Sequence, residues 1–210
     1  MTSLVDALYE FSNALLVPVI ASLFVLVLYS LLEIGGSLRE WSERRRVRNA
    51  WQVHQRELVA RSVSFDTSEN AKAVYPGLVA VFVKRTLADG GLPIFAEKHA
   101  HDVEIESSAR LARLSLLIRV GPMLGLMGTL IPLGPALIGL TESNLTGMAE
   151  DLVVAFSTTV LGLLVGGVAY AIWLARRQWY AQDLADMDFL LQTLSLKEPP
   201  TGFAHSTGET

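Results

Sequence analysis

The chain contains no cysteine. That excludes a disulfide framework, a thiol nucleophile and a cysteine-based metal site. Three long apolar runs contain no Asp, Glu, His, Lys or Arg: Ala14–Leu32, Val120–Leu140 and Leu152–Ala175. A self-sufficient proton pump or ion-coupled transporter carries an ionisable group at such positions, so any acid needed must come from another protein. Neither a phosphate-binding loop nor a nucleophile elbow occurs, and Ser, His and Asp do not cluster, so the chain is not read as an enzyme and no cofactor is implied. The sequence shows no inverted repeat and no midplane charge, which weighs against a secondary transporter.

Charge is also missing from particular places. Lys and Arg are absent from residues 1–38 and 141–151, and all 17 fall within Arg39–Arg119, at Arg176–Arg177 or at Lys197. Of the acids in these two segments, Asp6, Glu10, Glu142, Glu150 and Asp151 are the ones that would face outward. Basic flanks stay on the cytoplasmic side, so the pattern gives three crossings of a cytoplasmic (inner) membrane, with the N-terminus outside and the C-terminus in the cytoplasm. Met1–Ser12 lacks the positive residue that a secretory leader needs, so the first run reads as an uncleaved span, tilted or kinked at Pro18.

What is present is apolar. Hydrophobic residues make up 51% of the chain and charged residues 18%, outside the range of ordinary soluble domains. A span of about 20 residues covers about 30 Å as a helix, enough to cross a bilayer. The expected fold is all-α and polytopic, with long helices extending into the cytoplasm. Its segments are an outer segment 1–13, a first span 14–34, a cytoplasmic insertion 35–118, a second span 119–141, an outer turn 142–151, a third span 152–175, a cytoplasmic helix 176–198 and a tail 199–210 of disordered composition. Within the insertion, Arg39, Arg44–Arg46 and Arg48 read as a topology determinant rather than a nucleic-acid or lipid site. Residues 62–70 read as a polar linker and Gly77–Leu87 as a helix. From Pro93 the pattern runs unbroken into the second span. Past the third span, Tyr180, Leu184, Met187, Leu191 and Leu194 repeat at spacings of four and three, a heptad seam with Asp183, Asp186 and Asp188 off it, for which packing on the protein's own insertion competes with a subunit contact.

The second and third spans are unlike lipid anchors. Gly121, Gly125 and Gly128 in one, and Gly162 and Gly166 in the other, are spaced for close helix packing. Thr129, Ser157, Thr158 and Thr159 are the hydroxyls at membrane depth. The bland reading is that each bonds back to its own helix, but three consecutive residues cannot share one face, so at least one should meet a pore or a neighbouring subunit. Pro132 and Pro135 interrupt the second span's hydrogen bonding. His99 and His101, with Glu97, Asp102 and Glu104 nearby, offer at most a pair of converging ligands, so no metal site is read there.

Two segments, Pro122–Thr129 (PMLGLMGT) and Thr158–Leu163 (TTVLGL), resemble the signatures of the MotA/TolQ/ExbB proton-channel family, and the likeness covers roughly residues 92–195. The resemblance implies a ring of subunits, typically a homopentamer, around two copies of a single-span MotB/TolR/ExbD-like partner. An Asp in each partner helix carries the ion, and the flow drives a motor or stator. By motif position Thr129 and Thr159 correspond to pore-lining threonines. The TolQ/ExbB branch has a Glu five residues before the second of these in the third span; Val154 stands there instead. Glu150 and Asp151 fall at the outer mouth. The expected function is an ion-channel, stator-type subunit with the proton as the expected ion, and a non-conducting membrane scaffold is the alternative. In the expected ring the second and third spans lie inside and the first faces lipid.

Overall fold

A computed structural model describes residues 2–61, 75–90, 92–141 and 143–195. The polar linker 62–70, Glu142 and the tail 199–210 lie outside them. Every element among the described residues is helical: α1 (Thr2–Ala14), α2 (Leu16–Arg61), α3 (Gly77–Ala88), α4 (Pro93–Thr141) and α5 (Leu145–Ser195). Three of these are long and apolar enough to span a membrane. The protein is therefore a multi-pass membrane protein of all-helical architecture.

The breaks between helices follow from local chemistry. The α1–α2 junction falls at Leu15, three residues before the expected kink at Pro18. Pro18 has no N–H to donate to the carbonyl four residues back, so it sits in the first turn of α2, where that loss is tolerated. Helix α3 ends at Asp89 and Gly90, and Gly90 adopts φ +76°, a conformation glycine takes without strain. Asn144 starts α5, its Oδ1 accepting from the Gly147 N–H at 3.1 Å. As expected, α4 is one continuous helix from Pro93 into the second apolar run, and it stays continuous through Pro122, Pro132 and Pro135.

The chain forms two compact units. One comprises residues 1–39 and 109–177 and holds the apolar runs. Its core is Leu114 and Leu117 of α4 against Val165, Ala169 and Ile172 of α5, with Leu26, Val27 and Ile34 of α2 packed alongside. Arg176 Nη1 donates to Glu33 Oε2 at 2.8 Å, tying α5 to α2 at one end.

The other unit comprises residues 40–108 and 178–210. Its core is made by Trp51, Tyr75, Val79, Phe82, Val103 and Leu190, with Tyr180 and Met187 also buried. Burial pushes the Tyr75 phenol up to about 12, so it stays un-ionised at cellular pH. At the centre is Asp183, 2% exposed, which Arg44 grips with two hydrogen bonds of 2.7 and 2.6 Å. Asp183 Oδ2 also accepts the Leu78 N–H at 2.9 Å. Pro76, at the head of α3, makes no side-chain cap, so Asp183 supplies from another helix both the missing acceptor and the negative charge that a helix N-terminus favours. Gly77, at φ +45°, leaves the room: a Cβ there would come within 2.6 Å of Asp183 Oδ2.

This corrects the expected seam. The buried positions of the last helix segment are Tyr180, Asp183, Met187 and Leu190, while Leu184 and Leu191 are half-buried. Asp183 belongs to the buried face because Arg44 and the α3 backbone neutralise and bond it. Burial alone would lower the Arg44 pKa; the hydrogen bond and charge of Asp183, with Glu40, raise it above its ordinary value. A raised pKa favours the folded state at all pH values below the ordinary one, so the pair holds through the physiological range.

Candidate functional site

Within the apolar unit, α4 and α5 run antiparallel along a seam of small residues. A Cβ built on Gly162 would lie 2.6 Å from the Gly121 carbonyl oxygen and 2.7 Å from Gly125 Cα. One on Gly125 would lie 3.1 Å from the Thr158 carbonyl oxygen, and one on Gly128 2.6 Å from Thr158 Cβ. The far end of the seam is Gly166 against Pro122, where the corresponding distance is 2.9 Å. All five of these glycines thus lie on one contact: Gly121, Gly125 and Gly162 meet the opposite backbone, while Gly128 makes room for the Thr158 side chain and Gly166 for the Pro122 ring. The two motif segments, Pro122–Thr129 and Thr158–Leu163, are brought face to face.

The hydroxyls divide by face. Thr158 is buried at 4% against Gly128, Thr159 and Thr129 are half-buried, and Ser157 is exposed. Each bonds back within its own helix: Thr129 Oγ1 to the Leu126 carbonyl at 2.7 Å, Ser157 Oγ to Val153 at 2.7 Å, and both Thr158 and Thr159 to Ala155 at 2.8 and 3.3 Å. That satisfies each donor and leaves each oxygen's remaining acceptor capacity for a further partner. Pro132 is buried, Pro135 and Val154 are half-buried, Asp151 is half-buried and Glu150 is exposed.

The flanks of this seam are apolar and uncovered. Met123, Leu126 and Leu130 of α4, and Phe156, Val160 and Leu163 of α5, are each about three-fifths exposed. Surfaces of this kind require lipid or other helices.

The histidines do not converge. His99 Nε2 lies 2.6 Å from Asp89 Oδ2, and His101 Nδ1 lies 3.6 Å from Glu104 Oε2. Among the described residues no group of three metal-binding side chains comes together.

The Arg44–Asp183 pair is the feature that residue patterns did not single out. Its partners are 139 positions apart, and Arg44 stands inside a run of arginines that otherwise reads as a topology signal. The one available clue was spacing: Tyr180, Asp183, Met187 and Leu190 fall three, four and three apart, which puts an Asp on an otherwise apolar stripe.

Residues 86–187, just under half of the chain, match the family model described as the MotA/TolQ/ExbB proton channel family. No curated protein and no solved structure matches the chain.

Proposed function

We propose that this chain, a member of the MotA/TolQ/ExbB proton channel family through residues 86–187, is the ring-forming stator subunit of an ion-driven membrane motor. The general ion-channel and motor-type role comes with the family. The finer reading has one carrying observation: both signature segments meet along the glycine seam, yet the apolar runs that form it hold no ionisable residue of their own.

A cation crossing a bilayer needs a group to carry it, and here that group is the Asp of a single-span partner. Thr129 and Thr159 line its path with hydroxyl oxygens, Ser157 and Thr158 stand beside it, and Glu150 with Asp151 draws cations to the outer mouth. Pro132, Pro135 and Val154 form the wall that faces the partner helix. Five copies enclose two partner copies in the inner membrane, with the N-terminus outside and residues 35–118 and 176–198 in the cytoplasm. The exposed apolar flanks of α4 and α5 support the ring, because they are the surfaces that neighbouring subunits would cover.

The competing scaffold makes the same assembly without a path. Thr159→Val separates the two, being nearly isosteric and lacking only the hydroxyl. With the partner present, the variant should keep its subunit count by native mass spectrometry and lose at least tenfold in ion flux. Unchanged flux, or a wild-type protein that stays monomeric, contradicts the proposal.

A further inference from the structure

The hairpin of α4 and α5 has two unlike sides. Thr158 sits against Gly128, where a Cβ would stand 2.6 Å from its side chain. Thr129 and Thr159 are each the next residue along, turned by about 100° from that contact. The helices are right-handed and run in opposite directions, so the two turns carry both threonines to the same side of the pair. Val165 and Ile172 lie about 120° and 140° from Thr159 in the opposite sense. The core they belong to is packed by Leu26, Val27 and Ile34, so α2 covers the side away from the threonines.

The two arginines that close the third span divide between these sides. Arg176 is about five full turns past the buried Thr158 and shares its line along α5; its Nη1 donates to Glu33 of α2. Arg177 is about five full turns past Thr159 and shares the line of that threonine, about 27 Å along the helix. Tyr170 falls within about 20° of the same line. Arg177 is exposed, and its guanidinium carbon stands 5.2 Å from the centre of the Trp173 ring. That ring stacks on Tyr170 at 6.2 Å and 21°. Among the described residues Arg177 makes no ion pair.

No carboxylate occurs in 107–141 or in 152–182, so copies of α4 and α5 arranged around an axis leave this charge unbalanced. Glu33 belongs to α2 and is already taken by Arg176. With the threonine side turned inward, as in the proposed ring, each subunit adds one Arg177 to the cytoplasmic end of the path. Like charges gathered at a mouth repel ions of their own sign. The face of Trp173, which could otherwise attract a metal cation, is occupied by the arginine itself.

We propose that Arg177, held on the Trp173–Tyr170 stack, forms with its counterparts in the ring a collar that keeps metal cations out of the cytoplasmic end of the ion path. A proton reaches this level only as fast as the partner's Asp delivers it, so a modest barrier in series does not limit its passage. A potassium ion entering from the cytoplasm meets the collar directly. The inference rests on the ring and the threonine-lined path of the proposed function, and its readout, potassium entry, needs no partner.

The full-length protein, reconstituted alone into vesicles that hold a potassium-sensitive dye, measures that entry, and native mass spectrometry counts the subunits of each variant. Wild type should be tight. Arg177→Gln should admit potassium at least tenfold faster at an unchanged subunit count, Arg177→Glu faster still, and Arg177→Lys should stay near wild type. Arg113→Gln is the matched control: it removes the same charge near the same end of α4, but from the side where that charge reaches Tyr29 of α2, and should leave the vesicles tight. Excess choline chloride shortens the screening length and should raise potassium entry through wild type, a readout that requires no variant to fold. Arg177→Gln vesicles as tight as wild type, or equal leaks from Arg177→Gln and Arg113→Gln, overturn the proposal. So does loss of the ring in both Arg177→Gln and Arg177→Glu, which would assign Arg177 to a subunit contact. A wild type that is monomeric, or that passes no protons with the partner added, overturns the ring itself and the collar with it.

Discussion

Asp183→Ala should destabilise the protein by about 3–5 kcal/mol, the range expected when one member of a buried ion pair is removed. The change leaves Arg44, whose side chain is 6% exposed, charged without its principal partner. It also strips the Leu78 N–H of its acceptor at the unassisted start of α3. Asp183→Asn keeps an oxygen for Leu78 and removes only the charge, so it should fall between wild type and alanine. Arg44→Met removes the guanidinium stacked 5.4 Å from the Trp179 ring and strands the carboxylate, with a cost similar to that of Asp183→Ala. Thermal unfolding of the purified protein measures all three. Equal midpoints for wild type and Asp183→Ala would show that the pair holds nothing together.

Gly162→Ala should produce the second large effect, in the apolar unit. The new methyl would stand 2.6 Å from the Gly121 carbonyl oxygen and 2.7 Å from Gly125 Cα. Both obstacles are backbone, so neither can rotate away, and α4 and α5 must separate along the seam. Overpacking of this kind costs about 1–3 kcal/mol, and the separation would also move Thr129 relative to Thr159. Ion flux should fall with the yield of assembled protein. Gly167→Ala is the matched control, because a Cβ there meets nothing within 4 Å. Native mass spectrometry and flux on the two variants side by side check the contrast. Equal behaviour would mean that the glycine seam carries no packing role.

The membrane part of this fold was legible because lipid imposes a simple rule on sequence. An apolar run of about 20 residues without charge has few fates besides a spanning helix. The continuity of α4 from Pro93 was equally readable, since no breaker falls between there and the apolar run. The glycine spacing indicated close helix packing; that the two glycine-bearing spans meet each other, backbone to backbone at Gly121 and Gly162, is seen only in the structure.

The second unit was harder, for a physical reason. Asp183 looks like one of several solvated acids on the last helix, and only a partner 139 residues away makes its burial tolerable. Periodicity describes one helix at a time, so it cannot register an interaction that two distant helices complete. Pro18 shows the same limit on a smaller scale. Proline is read as a kink where it stands, yet the helix restarts at Leu16 and accommodates Pro18 in its first turn.

The central claim is that ions pass along the α4–α5 seam by way of an acid that this chain does not contain. Co-reconstitution into vesicles with a single-span partner bearing a membrane Asp, under an imposed proton gradient and potential, tests it most directly. The account predicts proton flux from the two proteins together, none from either alone, and loss of flux when the partner's Asp is replaced by Asn. Flux through this chain by itself, or undiminished flux with the Asn partner, would contradict it.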